Sequence, residues 1–163
     1  MENKKELRKW LDDMKLSHPL LIAGPCSAET ETQVLEIANE LKATDTNVYR
    51  AGIWKPRTRP GNFEGVGSLA LDWLKKVKKD TGILTTTEVA NPNHVELALQ
   101  NNIDILWIGA RTTVNPFIVQ EIAESLQGTD KIILIKNPVN PDLSLWLGAI
   151  ERFYTSNIKN IGA

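Results

Sequence analysis

Short, largely apolar runs recur along the chain at PLLIAG (19–24), NVYRAG (47–52), GILTTTEV (82–89), DILWIGA (104–110) and KIILIK (131–136). Between them lie longer segments whose apolar residues return every three to four positions, the period of a helix with one buried face. A strand that is apolar on both faces must be covered on both, and parallel neighbours need a long connection that a helix supplies. The alternation therefore predicts repeated βα units and a parallel sheet covered by helices. A sixth run, NIKNIGA (157–163), predicts the start of another strand.

The helices carry their own punctuation. Thr30 with Gln33 three residues on forms a capping box before Val34, Leu35, Ile37, Ala38 and Leu41. Val66, Leu69, Ala70, Trp73, Leu74 and Val77 mark the inner face of a second helix that stops at Gly82. Asn93 with Glu96 predicts the cap of a short third helix. Asn115 precedes Pro116, a residue that loses no needed hydrogen bond at the first helical position, and Asp142 opens the last helix.

Two architectures accommodate these units, an open doubly wound sheet and a (β/α)8 barrel. A complete barrel takes about 250 residues. At 163 residues, ending on strand-like residues, the chain is expected to be such a barrel truncated after five βα units and the start of strand six. Residues 19–163 form that incomplete domain and residues 1–18 an extension, either an amphipathic helix or a frayed segment. A 42% hydrophobic content suffices for one core, and two domains would be cramped.

Nineteen Lys+Arg against 20 Asp+Glu leave a charge of -1, which speaks against nucleic acid or an acidic membrane surface as partner. The charged N-terminus lacks a signal-peptide core, and no apolar run reaches the roughly 18 to 20 residues of a membrane span. A cytoplasmic location is the expectation. Cys26 is the single cysteine, so no internal disulfide forms. It is a core residue, a ligand or a nucleophile.

Against this near-neutral background, YRAGIWKPRTRPGNFEG (49–65) places Arg50, Lys55, Arg57 and Arg59 within ten residues. On the strand frame, Cys26 follows strand one, Arg50 ends strand two, Glu88 ends strand three, Arg111 follows strand four and Lys136 ends strand five. That is the edge where α/β folds bind ligands. Converging cations in a partly dry pocket repel one another and lose hydration unless a counter-charge arrives. A small substrate bearing phosphate or carboxylate is the natural one, and the alternative is surface cations paired with nearby carboxylates. Pro56 and Pro60 stiffen the loop, while Gly61 and Gly65 permit sharp turns. Neither His18, before strand one, nor His94, a solvated helix-start residue, makes a convincing base for Cys26. Trp10, Trp73, Trp107 and Trp146 read as packing, and Trp54 as a wall of the pocket.

GPCSAE, YRAGIWKPRTRPGNFEG, TTTEV, IGART and IKNP, in this order and spacing, resemble the 3-deoxy-7-phosphoheptulonate synthases from about residue 19 to the last residue. KPRTRP is the specific signal. The related 3-deoxyoctulosonate 8-phosphate synthases have a similar barrel with an alanine-asparagine-arginine version of the loop, so Pro56 and Thr58 favour the heptulosonate enzyme. IKNPVNPD resembles the subgroup commonly fused to a chorismate mutase domain.

The resemblance implies a condensation of phosphoenolpyruvate with erythrose 4-phosphate that releases phosphate and depends on a divalent metal of the Mn, Fe, Co or Zn class. It also implies a homo-oligomer. Carried onto this chain, Arg50, Lys55, Arg111 and Lys136 bind the phosphate and carboxylate of phosphoenolpyruvate, Lys55 and Glu88 being the catalytic pair. Glu88 orders polar contacts or water, Arg57 and Thr58 hold the aldose phosphate, and Cys26 is one metal ligand. The family's other ligands and a further arginine come from strands six to eight. The expectation is therefore little or no synthase activity from these 163 residues alone, with the phosphoenolpyruvate surface retained. The other reading is a non-catalytic half-barrel that binds anionic metabolites.

Overall fold

Each predicted strand is present in the computed structural model, shorter than its apolar run. The structure describes residues 9–16 and 19–163, so His18 and most of the extension lie outside the described residues. The strands are β1 (Ile22–Ala23), β2 (Val48–Arg50), β3 (Leu84–Val89), β4 (Ile105–Ile108), β5 (Ile132–Ile135) and β6 (Ile161–Gly162). The helices are α1 (Lys9–Asp13), α2 (Glu31–Leu41), α3 (Leu69–Thr81), α4 (Pro92–Gln100), α5 (Pro116–Ser125) and α6 (Leu143–Thr155). Sheet order follows chain order from β1 to β6. A doubly wound sheet reverses its strand order at a switch point. No reversal occurs here, and the succession is that of the first five βα units and the opening of strand six of a (β/α)8 barrel. Among the described residues no helix is long and apolar enough to cross a membrane.

The described chain forms two compact units that interleave in sequence, with α4 contributing to both. One comprises residues 19–88 and Leu97–Asp104. In it β1, β2 and β3 pair in parallel, with Ile22 opposite Val48 and Val48 opposite Leu84. Thr30 accepts the Gln33 N–H at 3.2 Å to open α2, and Gly82, at φ 75°, closes α3 in the left-handed conformation. Ala70, Leu71, Trp73, Leu74 and Val77 form the buried stripe of α3. Leu69, predicted on that stripe, is 61% exposed because it stands in the first turn at the margin of the face. Tyr49 is fully buried and donates its hydroxyl to the Val34 carbonyl at 2.8 Å, and burial pushes its phenol well above the usual range.

The other unit comprises residues 9–15, Val89–Glu96 and Ile105–Ala163. In it β4, β5 and β6 pair in parallel, with Ile105 opposite Ile132 and Ile133 opposite Ile161. Asn115 accepts the Phe117 and Ile118 N–H groups ahead of Pro116, and Asp142 accepts that of Leu145, as the sequence predicts. The α4 cap is a correction. Asn91, not Asn93, accepts the His94 N–H at 2.9 Å, because Pro92 takes the first helical position.

Of the two possibilities for the extension, a helix is what forms over Lys9–Asp13. Its Trp10 is 5% exposed and donates its indole N–H to the Ile161 carbonyl at 3.2 Å. A Cβ on Gly162 would stand 3.3 Å from the same ring, so helix and strand meet at close packing. Trp10→Phe removes this buried donor together with the pyrrole part of the ring. It is expected to cost about 1–2 kcal/mol in urea denaturation.

Candidate functional site

In the first unit the loop after β1 is clamped to the end of β2. Gly52 donates to the Pro25 carbonyl at 3.4 Å and accepts from Ala28 at 3.1 Å. A Cβ on Gly52 would lie 2.2 Å from the Cys26 carbonyl oxygen, so no side chain fits there. This close approach carries Lys55 onto the cysteine. Its Nζ donates to the Cys26 carbonyl at 2.7 Å and to Sγ at 3.5 Å.

Cys26 is exposed, which removes the core reading. The Lys55 ammonium is the main influence holding its thiol below the ordinary value, partial burial opposes it, and Arg50 adds to the lowering. Lys55 acts here as a donor to the Cys26 sulfur, so it does not serve as the base a nucleophile needs. The thiolate fits one position of a metal site. Among the described residues, no group of three or more His, Cys, Asp or Glu side chains gathers to hold a metal.

Arg50 is the last residue of β2, half-buried, and stands opposite Thr86 in the sheet register. Among the described residues the buried Thr86 and Ser27 hydroxyl oxygens have no hydrogen-bond partner, so both keep bonding capacity beside Arg50 and Cys26. Glu88 is 8% exposed at the end of β3, and Thr87 ties β3 to β2 through the Ala51 carbonyl at 2.8 Å. Sequence reasoning passed over Ser27 and Thr86. The signal was available, since Thr86 stands two residues before Glu88, which puts both on the same face of the strand.

The β2–α3 loop closes on itself. Lys55 N–H donates to the Glu64 carbonyl at 2.8 Å, and Arg57 Nε to the Phe63 carbonyl at 2.8 Å. Arg57, Thr58 and Arg59 are exposed on this loop. Lys55, Arg57 and Arg59 have no carboxylate partner among the described residues, which removes the paired-surface-cation reading for these three. The structure thus draws Cys26, Arg50 and Lys55 together and leaves Arg57 and Thr58 at the loop surface.

In the second unit Arg111 is exposed in the turn after β4. Thr112 and Thr113 donate their N–H groups to the Gly109 carbonyl at 2.9 and 3.0 Å. The Thr113 hydroxyl lies 3.0 Å from both the Gly109 and the Lys136 carbonyl oxygens, linking the ends of β4 and β5. Its role was not visible in the sequence. Lys136 is exposed, with Nζ 5.1 Å from the centroid of the Trp107 ring. His94 corrects the solvated reading. It is half-buried, its Nδ1 accepts the Ala90 N–H at 3.3 Å, and burial lowers its pKa. Through Nδ1 the ring holds the turn at Ala90.

The chemistry these groups support is anion binding. Ammonium and guanidinium groups favour phosphate and carboxylate over neutral ligands.

A family model described as the DAHP synthetase I family matches residues 15–161. Phospho-2-dehydro-3-deoxyheptonate aldolase of Thermotoga maritima is 34% identical over 107 residues, which are 64% of this chain and 31% of that protein. A 2-dehydro-3-deoxyphosphooctonate aldolase of Desulfatibacillum aliphaticivorans is 40% identical over 98 residues, 56% of this chain and 36% of that protein. The crystal structure of phospho-2-dehydro-3-deoxyheptonate aldolase (DAHP synthase) from Thermotoga maritima superimposes with a TM-score of 0.74 at 27% identity. The match covers 87% of this chain and 40% of that one. The chain thus spans 31% and 36% of the lengths of these two curated relatives.

Proposed function

The chain belongs to the DAHP synthetase I family, and we propose that it is the phosphoenolpyruvate-binding part of a 3-deoxy-7-phosphoheptulonate synthase. In this reading residues 19–163 are the barrel portion and residues 1–18 an extension. Arg50, Lys55, Arg111 and Lys136 meet the phosphate and carboxylate of phosphoenolpyruvate. Glu88 orders the polar contacts beside them, and Arg57 with Thr58 takes the phosphate of erythrose 4-phosphate. The observation that carries the reading is Lys55, an ammonium held against Cys26 at 2.7 and 3.5 Å with no carboxylate among the described residues to neutralise it.

Condensation joins the enol carbon of one phosphorylated anion to the aldehyde carbon of another, whose oxygen takes up a proton. One water adds at the carbon bearing the phosphate ester, and that ester bond breaks to release inorganic phosphate. The two substrates repel, so the main work of these residues is to hold both in fixed positions against that repulsion. A divalent metal of the Mn, Fe, Co or Zn class, with Cys26 as one ligand, supplies Lewis-acid polarisation of the aldehyde when bound. The described residues contribute that one thiolate. The octulosonate alternative has weaker support, since the family model and the structural relative are both heptulosonate enzymes and KPRTRP carries Pro56 and Thr58.

The test is calorimetric titration of phosphoenolpyruvate into the 163-residue chain, followed by a phosphate-release assay with erythrose 4-phosphate and manganese. Saturable phosphoenolpyruvate binding is expected, with little or no phosphate release, because the described residues gather no metal-ligand set. Absence of saturable binding overturns the assignment. Robust manganese-dependent turnover refutes the expectation of binding without chemistry.

A further inference from the structure

Between α5 and α6 lies a groove of about 290 Å³, close to the lower bound of small-molecule sites. Val119 of α5 and Leu145, Gly148 and Ala149 of α6 supply its apolar lining, Arg152 one polar end and Asp142 the other. Gly148 creates the space. It stands in the interior of a 13-residue helix, where glycine costs roughly 1 kcal/mol relative to alanine. Neither common reason for glycine applies, since its φ is not positive and a Cβ there would meet nothing within 4 Å. The missing side chain leaves a volume and nothing else.

Arg152 stands four residues on, hence on the same face one turn away. It is half-buried, with Nη1 donating to Gln120 Oε1 at 3.1 Å. No carboxylate among the described residues pairs with it. A partly dehydrated guanidinium beside an apolar trough favours a carboxylate, which it grips with two parallel N–H groups. Asp142, ten residues earlier and about 15 Å away along the helix, caps the Leu145 N–H at 2.9 Å. Its negative charge disfavours a second anionic group at that end.

We propose that this groove binds a small monocarboxylate with an apolar tail, its head on Arg152 and its tail over Gly148. The site is separate from the phosphoenolpyruvate residues and does not rest on their assignment.

Titration of hexanoate into the 163-residue chain, followed by saturation-transfer NMR and thermal unfolding, tests the proposal, with hexanamide as the neutral isostere. Hexanoate is expected to bind saturably and raise the unfolding temperature. Hexanamide should bind at least about tenfold more weakly, the scale of one charge-assisted hydrogen-bonded pair. Arg152→Gln should weaken hexanoate to the same degree. Gly148→Leu should abolish binding while retaining the helical circular dichroism, since leucine is the better helix former. Equal affinity for acid and amide, no saturable hexanoate binding, or undiminished binding by Gly148→Leu would each overturn the proposal. The acid–amide comparison needs no variant, so it stands even if a substitution disturbs folding.

Discussion

Gly24→Ala is expected to destabilise the chain by about 3–5 kcal/mol, a large part of the roughly 5–15 kcal/mol that holds a domain together. Gly24 sits at φ +138°, a conformation L side chains rarely adopt. An added Cβ would stand 2.1 Å from the Arg50 carbonyl oxygen and 3.1 Å from its carbonyl carbon and its nitrogen. These are backbone atoms of β2, which cannot swing aside as a side-chain tip would. Relief requires β1 and β2 to part where Ala23 faces Tyr49, and the displacement reaches the Cys26 loop two residues on. Gly82→Ala is the matched control. It also has positive φ, at 75°, but a Cβ there meets nothing within 4 Å, so the backbone conformation alone should cost about 1 kcal/mol. Urea denaturation followed by tryptophan fluorescence compares the two. Equal losses would show that close approach to Arg50 is not what selects Gly24.

Lys55→Met is expected to lower phosphoenolpyruvate affinity by roughly 10- to 100-fold, the range for losing a hydrogen bond to a charged group. The same substitution should slow alkylation of Cys26 by iodoacetamide near neutral pH. Lys55 is the largest cause of the lowered thiol pKa, and its removal leaves only Arg50 to oppose the effect of burial. The direction follows from linkage. A thiol whose folded pKa is depressed contributes stability fully above the unfolded pKa, and that contribution is lost as pH falls through the folded value. Lys55→Met should therefore move the alkylation pH profile to higher pH and flatten this pH dependence of stability, whereas Lys55→Arg should retain most of both. An unchanged alkylation profile in Lys55→Met would mean that the ammonium at 3.5 Å does not stabilise the thiolate.

The legible features are those whose cause is local. The caps at Thr30, Asn115 and Asp142 depend on a side chain reaching an N–H two or three residues ahead, and all three form. Even local signals compete, however. Asn93 with Glu96 imitates a capping box, yet the adjacent Asn91–Pro92 pair wins because proline is already set for the first helical turn. Leu69 fits the helical period but not the buried arc, since the period says which residues share a face and not which arc the sheet covers.

By itself the sequence determined the βα succession, from strand runs and helical periods, and the distribution of Cys26, Arg50, Glu88, Arg111 and Lys136 at successive strand ends. A parallel sheet places every strand's C-terminal residue on the same edge, so this much follows without coordinates. Only the tertiary structure decided that Lys55 meets Cys26 across 29 residues of chain and that Thr113 links two strand ends. It alone shows that Gly148 opens a space beside an Arg152 with no carboxylate partner among the described residues. Each of these depends on how closely two backbones approach, at Gly52 for the first and between α5 and α6 for the last. That distance is set by the packing of segments far apart in sequence, and no periodicity within a single segment encodes it.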